Sequence, residues 1–234
     1  NWVNTQREQL KRLGIMGDWD NPYLTMDPEA EGTIVAELLK FAETGMLYRG
    51  AKPVMWSPVE KTALAEAEVE YEDITSTQID VAFEITESPE VPALKGAFAV
   101  IWTTTPWTIP TNQAIAYNPA FEQISYEACY GVFAASDGRR YVLSQALAPA
   151  FSARAGLELR LETALSDVAL KGAVARHPMH HLGGFFAKPR PFLPGDFVTT
   201  DSGTGLVHMA PDHGEDDFLL CKEHGIEPVF AVEG

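Results

Sequence analysis

One change of pattern limits the fold of this chain more than any other feature. Up to about Gly45 the apolar residues recur at helical spacing. Beyond it they come in short runs separated by turns rich in Gly, Pro, Asn and Asp. Residues 78–86 alternate, and residues 97–103 form a nearly unbroken apolar run, as a strand covered on both faces does. Short strands are also predicted at 114–117, 123–128, 131–135, 140–143, 159–161, 173–175, 197–200 and 206–209. A hairpin over 46–56, a half-exposed strand at 66–72 and a last strand at 227–232 complete the set, with helices at 144–155 and 215–225. Many short strands joined by tight turns make a barrel or a sandwich. The expected class is β-rich α+β: a β-barrel-like domain over 46–234 with flanking helices and a C-terminal strand–helix element, after a helical lead-in over 1–45.

In the lead-in, Val3, Leu10 and Leu13 share one face of a helix that Gly14 stops. A second helix starts near Pro28, which suits the first helical position, and runs to Gly45. Ile34, Leu38, Leu39, Phe41 and Ala42 are its expected buried stripe. The first residue is Asn rather than Met, so a piece of a longer chain is expected. No apolar run approaches the ~18 residues that span a bilayer, and no membrane association is expected. Two distant cysteines, Cys129 and Cys221, fit a reducing compartment, and the expected location is cytoplasmic. A net charge of −16 makes the chain a poor stand-alone partner for nucleic acid, because phosphates are repelled overall.

The densest chemistry lies in residues 203–218, with two of the six histidines and four carboxylates. Leu206-Val207-His208-Met209 is a short strand, Pro211-Asp212-His213-Gly214 is turn chemistry, and a helix starts near Glu215. Asp216 and Asp217 fall in its first turn, where the helix dipole favours an ionised carboxylate. Such a pair is a helix cap or an anchor for an ammonium group; the residues alone leave both open. A second polar run, Trp102-Thr103-Thr104-Thr105-Pro106-Trp107-Thr108-Ile109-Pro110-Thr111-Asn112, follows the buried strand directly. Its hydroxyls suit a carbonyl oxygen, a water or a ribose, or simply reflect the liking of Thr for strand ends.

These two runs resemble the signature segments of the editing domain inserted in class I isoleucyl-tRNA synthetases. Gly17-Asp18-Trp19-Asp20-Asn21-Pro22-Tyr23, Lys52-Pro53-Val54-Met55-Trp56-Ser57 and residues 63–71 are similar to the segment that leads into that insertion, so the resemblance spans nearly the whole chain. Valyl and leucyl relatives usually carry a charged residue before the proline of the threonine-rich run. Thr105 in that place, with Trp107 after the proline, points to the isoleucyl family. One departure is Ser57-Pro58-Val59-Glu60, where many bacterial isoleucyl enzymes have cysteines; a cysteine metal site there is not expected. Neither His-Ile-Gly-His nor Lys-Met-Ser-Lys-Ser occurs in the chain, so proofreading rather than amino-acid activation is expected.

The resemblance implies hydrolysis of valyl-tRNA(Ile), with valyl-adenylate as a second candidate substrate. Isoleucine and valine differ by one methylene, which a pocket discriminates by only about 1–3 kcal/mol; the isoleucyl enzyme is itself the familiar illustration of that limit. By resemblance Asp217 anchors the substrate ammonium, Thr103, Thr104, Thr105 and Thr108 line the acyl group and ester, and His208 filters size. Trp102, Trp107 and Asn112 shape the pocket or meet the terminal nucleotide, with Asp216 and His213 as second choices. Implied partners are the 3′ end of tRNA(Ile) carrying valine and the remaining domains of the same synthetase, the isolated domain being a monomer.

No cofactor or metal is expected. His208 with His213, or Cys221 with His224, lacks the further ligands of a zinc site. His177, His180 and His181 read as exposed polar positions, and Arg176, Lys188, Arg190, Arg139 and Arg140 as a solvated face or contacts to the tRNA end. The competing function is a non-catalytic module that binds a protein or a tRNA end.

Overall fold

The computed structural model describes residues 2–126, 129–166 and 168–232. Its contacts divide the chain into two units, 1–51 and 52–234.

The first unit carries α1 (Trp2–Arg12) and α2 (Pro28–Glu43). Asp27 caps α2, its carboxylate accepting the Glu29 N–H at 3.1 Å, and Pro28 occupies the first turn. The expected stripe forms but is not buried. Ile34, Leu38, Leu39 and Phe41 are each about half exposed, and neither helix has a buried residue. Two short helices offer no second layer broad enough to close over such a stripe.

The second unit opens with a two-residue hairpin, β1 (Trp56–Ser57) and β2 (Thr62–Ala63). The expected hairpin over 46–56 is absent, and residues 66–68 form a short 3₁₀ turn instead of a strand. The main sheet contains β3 (Ile79–Glu87), β4 (Phe98–Thr103), β5 (Ala114–Tyr117), β6 (Tyr130–Ala135), β7 (Arg140–Ser144), β8 (Leu159–Ala164), β9 (Val174–Arg176), β10 (Pro189–Pro194) and β11 (Leu206–Met209). The order is β11-β5-β10-β9-β3-β4-β7-β6-β8, mixed, with β10–β5 and β4–β7 parallel and the other pairs antiparallel. The β-rich α+β expectation holds. The ladder is not a closed barrel: it ends at β11 and β8 among the described residues. It does curl, because the approach to β11 folds back on the middle of the sheet. The Thr204 hydroxyl donates to the Val100 carbonyl at 2.6 Å, and the Ser144 N–H to the Thr204 carbonyl at 2.8 Å.

Helices α3 (Phe121–Ile124), α4 (Ala148–Ala155) and α5 (Glu215–Glu223) flank the sheet. The α3 turn stands where a strand over 123–128 is expected; 127–128 lie outside the described residues. Residues 197–200 and 227–232 form no strand. Apolar side chains fill both faces. Phe83, Ile85, Ala99 and Ile101 join the larger cluster, while Val100, Phe133, Tyr141 and Leu143 join a smaller one with Phe151 of α4. That division explains the unbroken apolar run of β4: successive residues face opposite clusters.

Strand β10 was not readable from its residues, because Pro189, Pro191 and Pro194 argue against a strand inside a sheet. It pairs with β9 over 189–191 and with β5 over 192–194. Successive N–H groups point to opposite sides, and the Phe192 N–H reaches the Ala173 carbonyl on the β9 side. The three missing N–H groups therefore fall where the neighbouring strand has not begun or has already ended.

Candidate functional site

The first wall of the site grows from the end of β4, where the chain turns into a 3₁₀ segment over Pro106–Thr111. Three of its hydroxyls, those of Thr103, Thr108 and Thr111, bond its own backbone. The Thr103 hydroxyl accepts the Thr105 N–H at 3.0 Å and lies 3.1 Å from the Thr105 hydroxyl. Thr108 donates to the Thr105 carbonyl at 2.8 Å and Thr111 to the Thr108 carbonyl at 2.9 Å. Such side-chain bonds hold a loop with two prolines in one shape. Trp102 is fixed through its indole N–H on Gln78 at 3.0 Å, and the Thr104 carbonyl accepts the Ser76 hydroxyl at 2.7 Å. Thr104, Thr105 and Trp107 remain exposed.

The second wall is β11 with the loop before it. The 203–205 turn has Gly203 and Gly205 at φ +78°, a region that costs a side chain energy. A Cβ on Gly205 would also sit 2.7 Å from that of Ser144. His208 of β11 is 8 % exposed, and its Nε2 is 3.1 Å from the Thr108 hydroxyl, one hundred residues away in sequence. Thr108 has one hydroxyl hydrogen and gives it to the Thr105 carbonyl, so Nε2 carries the proton in this bond. The Nδ1 atom is buried with no partner among the described residues. Burial pushes this imidazole down to about 4, with His213 and His177 adding repulsion, so it is neutral at pH 7.

Asp217 is the third residue of α5. One carboxylate oxygen accepts the Ala210 N–H at 2.6 Å, tying the exit of β11 to the helix start. The other lies over Gly214, where a Cβ would come within 2.8 Å of it. The helix dipole and N–H groups favour the ionised form, as the sequence suggests, but burial prevails and pushes this carboxyl up to about 6. It is still mostly ionised at pH 7.

The two walls enclose a cavity of about 360 Å³. Trp102, Thr103, Thr104, Thr105, Trp107, Thr108, His208, His213 and Asp217 all line it. Trp107 and His213 meet edge to face at its rim, ring centroids 4.9 Å apart. Two expected residues do not reach it. Asn112 is fully buried behind the turn, donating to the Ala114 carbonyl at 2.8 Å, and Asp216 is exposed on the outer side of α5. Phe197, Thr199 and Ser202 also line it and were missed. The turn-forming string Asp201-Ser202-Gly203 beside β11 was the available signal.

Two other expectations need correction. His177 is not an exposed position: it is fully buried, its Nε2–H donating to the Ile109 carbonyl at 2.9 Å and its Nδ1 accepting the Met179 N–H. It thus braces the 3₁₀ turn from behind. Arg190 is not part of a solvated face but buried, stacked on Phe185 and donating to the Lys188 and Phe185 carbonyls; burial pushes it down to about 10. Cys221 is fully buried, and burial pushes its thiol up to about 12, which leaves it unreactive.

The family model for tRNA synthetases class I (I, L, M and V) matches residues 1–211. The chain belongs to the class I tRNA synthetases. It is 56% identical over 234 residues to an isoleucine–tRNA ligase of Zymomonas mobilis, covering 99% of this chain and 24% of that protein. It is 49% identical over 230 residues to the isoleucine–tRNA ligase of Gluconobacter oxydans, covering 97% and 24%. The chain thus spans about a quarter of the length of these synthetases. A solved structure described as the crystal structure of GlLeuRS-CP1 aligns with a TM-score of 0.49 at 19% identity, over 64% of this chain and 65% of that one.

Proposed function

We propose that this chain is the proofreading part of an isoleucyl-type synthetase and hydrolyses the valyl ester on the 3′ end of tRNA(Ile), with valyl-adenylate as a second substrate. The observation that carries this reading is the single cavity in which His208 and Asp217 meet the threonine turn. A neutral imidazole beside a hydroxyl walls off volume without adding charge. An ionised carboxylate in a partly desolvated cleft is suited to an ammonium. A volume of about 360 Å³ suits a small acyl group with part of its ribose. The bare apolar stripe of α2 supports packing against the remaining domains of the synthetase, and the net charge of −16 supports delivery of the acceptor end by those domains.

The test is direct. Radiolabelled valyl-tRNA(Ile) and isoleucyl-tRNA(Ile) are mixed with the chain and ester loss is followed. The valyl ester should disappear and the isoleucyl ester persist. Survival of both, with tRNA bound, would favour the second reading, a non-catalytic acceptor-end module. What supports that reading is Asp217 itself, one oxygen of which is already engaged by Ala210.

A further inference from the structure

The 203–205 turn belongs to the cavity wall, and its two glycines have only backbone to present there. All three of its carbonyls are taken by groups that do not line the cavity. Arg154 on α4 donates from Nη2 to the Gly203 carbonyl at 3.2 Å, while its Nε and Nη2 grip Asp80 of β3 at 2.9 and 2.7 Å. Ser144 N–H holds the Thr204 carbonyl at 2.8 Å, and the Tyr130 hydroxyl holds the Gly205 carbonyl at 2.7 Å. In a trans peptide the N–H points opposite to the carbonyl of the same unit. With the Gly203 carbonyl drawn toward Arg154, the Thr204 N–H is turned the other way, and Thr204 is one of the residues that line the cavity. This N–H has no acceptor among the described residues. The Thr204 side chain offers none, since its hydroxyl is bound to Val100 and faces Leu206. Trp102 closes the remaining freedom: its ring lies 3.2 Å from where a Cβ of Gly203 would be, and it stands opposite Asp80 in the β3–β4 register.

We propose that the Thr204 N–H is the donor that receives the reacting carbonyl oxygen, and that Arg154 is its positioning residue. This rests on the deacylase reading. A water oxygen bonds to the ester carbon while the carbonyl π pair moves onto its oxygen, where a fixed N–H stabilises the new charge. Collapse of that oxyanion re-forms the carbonyl and expels the ribose oxygen. One water proton ends on the ribose hydroxyl, and the other leaves to solvent as the amino-acid carboxyl ionises. Arg suits the task because its planar fork grips a carboxylate with two bonds and still reaches a carbonyl; Lys lacks the fork.

The experiment compares the full chain with Arg154→Lys, using two probes besides the ester. One is the planar amide of valine with 3′-amino-3′-deoxyadenosine. The other is its phosphonate counterpart, tetrahedral and anionic at the reacting centre. Arg154→Lys should lower ester turnover about tenfold or more with KM within about twofold, and weaken the phosphonate by a similar factor while sparing the amide. Equal loss of both probes would make Arg154 a mere scaffold residue, and no loss of either would remove it from the mechanism; either result overturns the proposal. Should Arg154→Lys fail to fold, Asp80→Asn, which loosens the same fork, should give the same split between probes. An unaltered chain that leaves valyl-tRNA intact would count against the deacylase reading, whereas the probe comparison judges the donor by binding alone.

Discussion

The two walls of the cavity solve opposite problems. The threonine wall carries no titratable group, and the hydroxyls of Thr103, Thr105, Thr108 and Thr111 are engaged among themselves and with the backbone. The β11–α5 wall carries two titratable groups that burial moves in opposite directions, His208 down to about 4 and Asp217 up to about 6. Both shifts have desolvation as their largest cause, which disfavours whichever form is charged. One wall is thus a rigid neutral surface, and the other holds an imidazole kept neutral and a carboxylate kept charged at some cost to the fold. The Thr108–His208 bond is the seam between them.

The sharpest way to break this contrast is to remove the one charge. Asp217→Ala should lower valyl-tRNA deacylation about a thousandfold if the carboxylate holds the ammonium, with far-UV circular dichroism unchanged. Hydrolysis at the unaltered rate would assign Asp217 to structure alone.

Opposed shifts also make a prediction for stability against pH. His208 is depressed below its ordinary 6.5, so its contribution is full above pH 6.5 and lost as pH falls to about 4. Asp217 is raised above its ordinary 3.8, so its contribution is full below pH 3.8 and lost as pH rises through about 6. Each is worth roughly 3 kcal/mol, and between pH 6.5 and 4 they nearly cancel. Urea unfolding should uncover them singly. Relative to the unaltered chain, Asp217→Asn should lose about 3 kcal/mol over that range as pH falls, and His208→Gln should gain about as much. Parallel curves for all three proteins would refute the opposed shifts.

Cutting the seam should cost less. Thr108→Val leaves the His208 Nε2–H without an acceptor and should destabilise the chain by about 1–3 kcal/mol in the same unfolding assay. Widening the second wall with His208→Ala should expose isoleucyl-tRNA(Ile) to hydrolysis, raising cognate ester loss about tenfold; continued protection would remove His208 as the size filter. The smallest effect belongs to the neutral wall's exposed hydroxyl. Thr104→Ala should change neither stability nor its pH dependence by more than about 0.5 kcal/mol.

Much of this was legible in the residues. The 97–103 run announced a strand covered on both faces, and the strand–turn–helix reading of 203–218 matches β11 and α5. Patterns of this kind are local, set by the geometry of one element. Prolines hid β10 because their tolerance depends on where two other strands begin and end. His177 and Arg190 read as exposed because polarity predicts solvent, whereas backbone carbonyls from distant segments satisfy them inside. The α2 stripe was legible as a pattern, but periodicity does not show what covers a face.

Sequence alone determined which groups each wall could contain: five hydroxyls and two indoles in one run, two imidazoles and four carboxylates in the other. Tertiary structure decided the rest. It excluded Asn112 and Asp216 from the cavity, chose the His208 tautomer through Thr108, and turned the Gly203 carbonyl toward Arg154. The reason is physical. Side-chain type is a property of one residue, but burial, proton position and the direction of a peptide depend on neighbours that the sheet brings together from a hundred residues away.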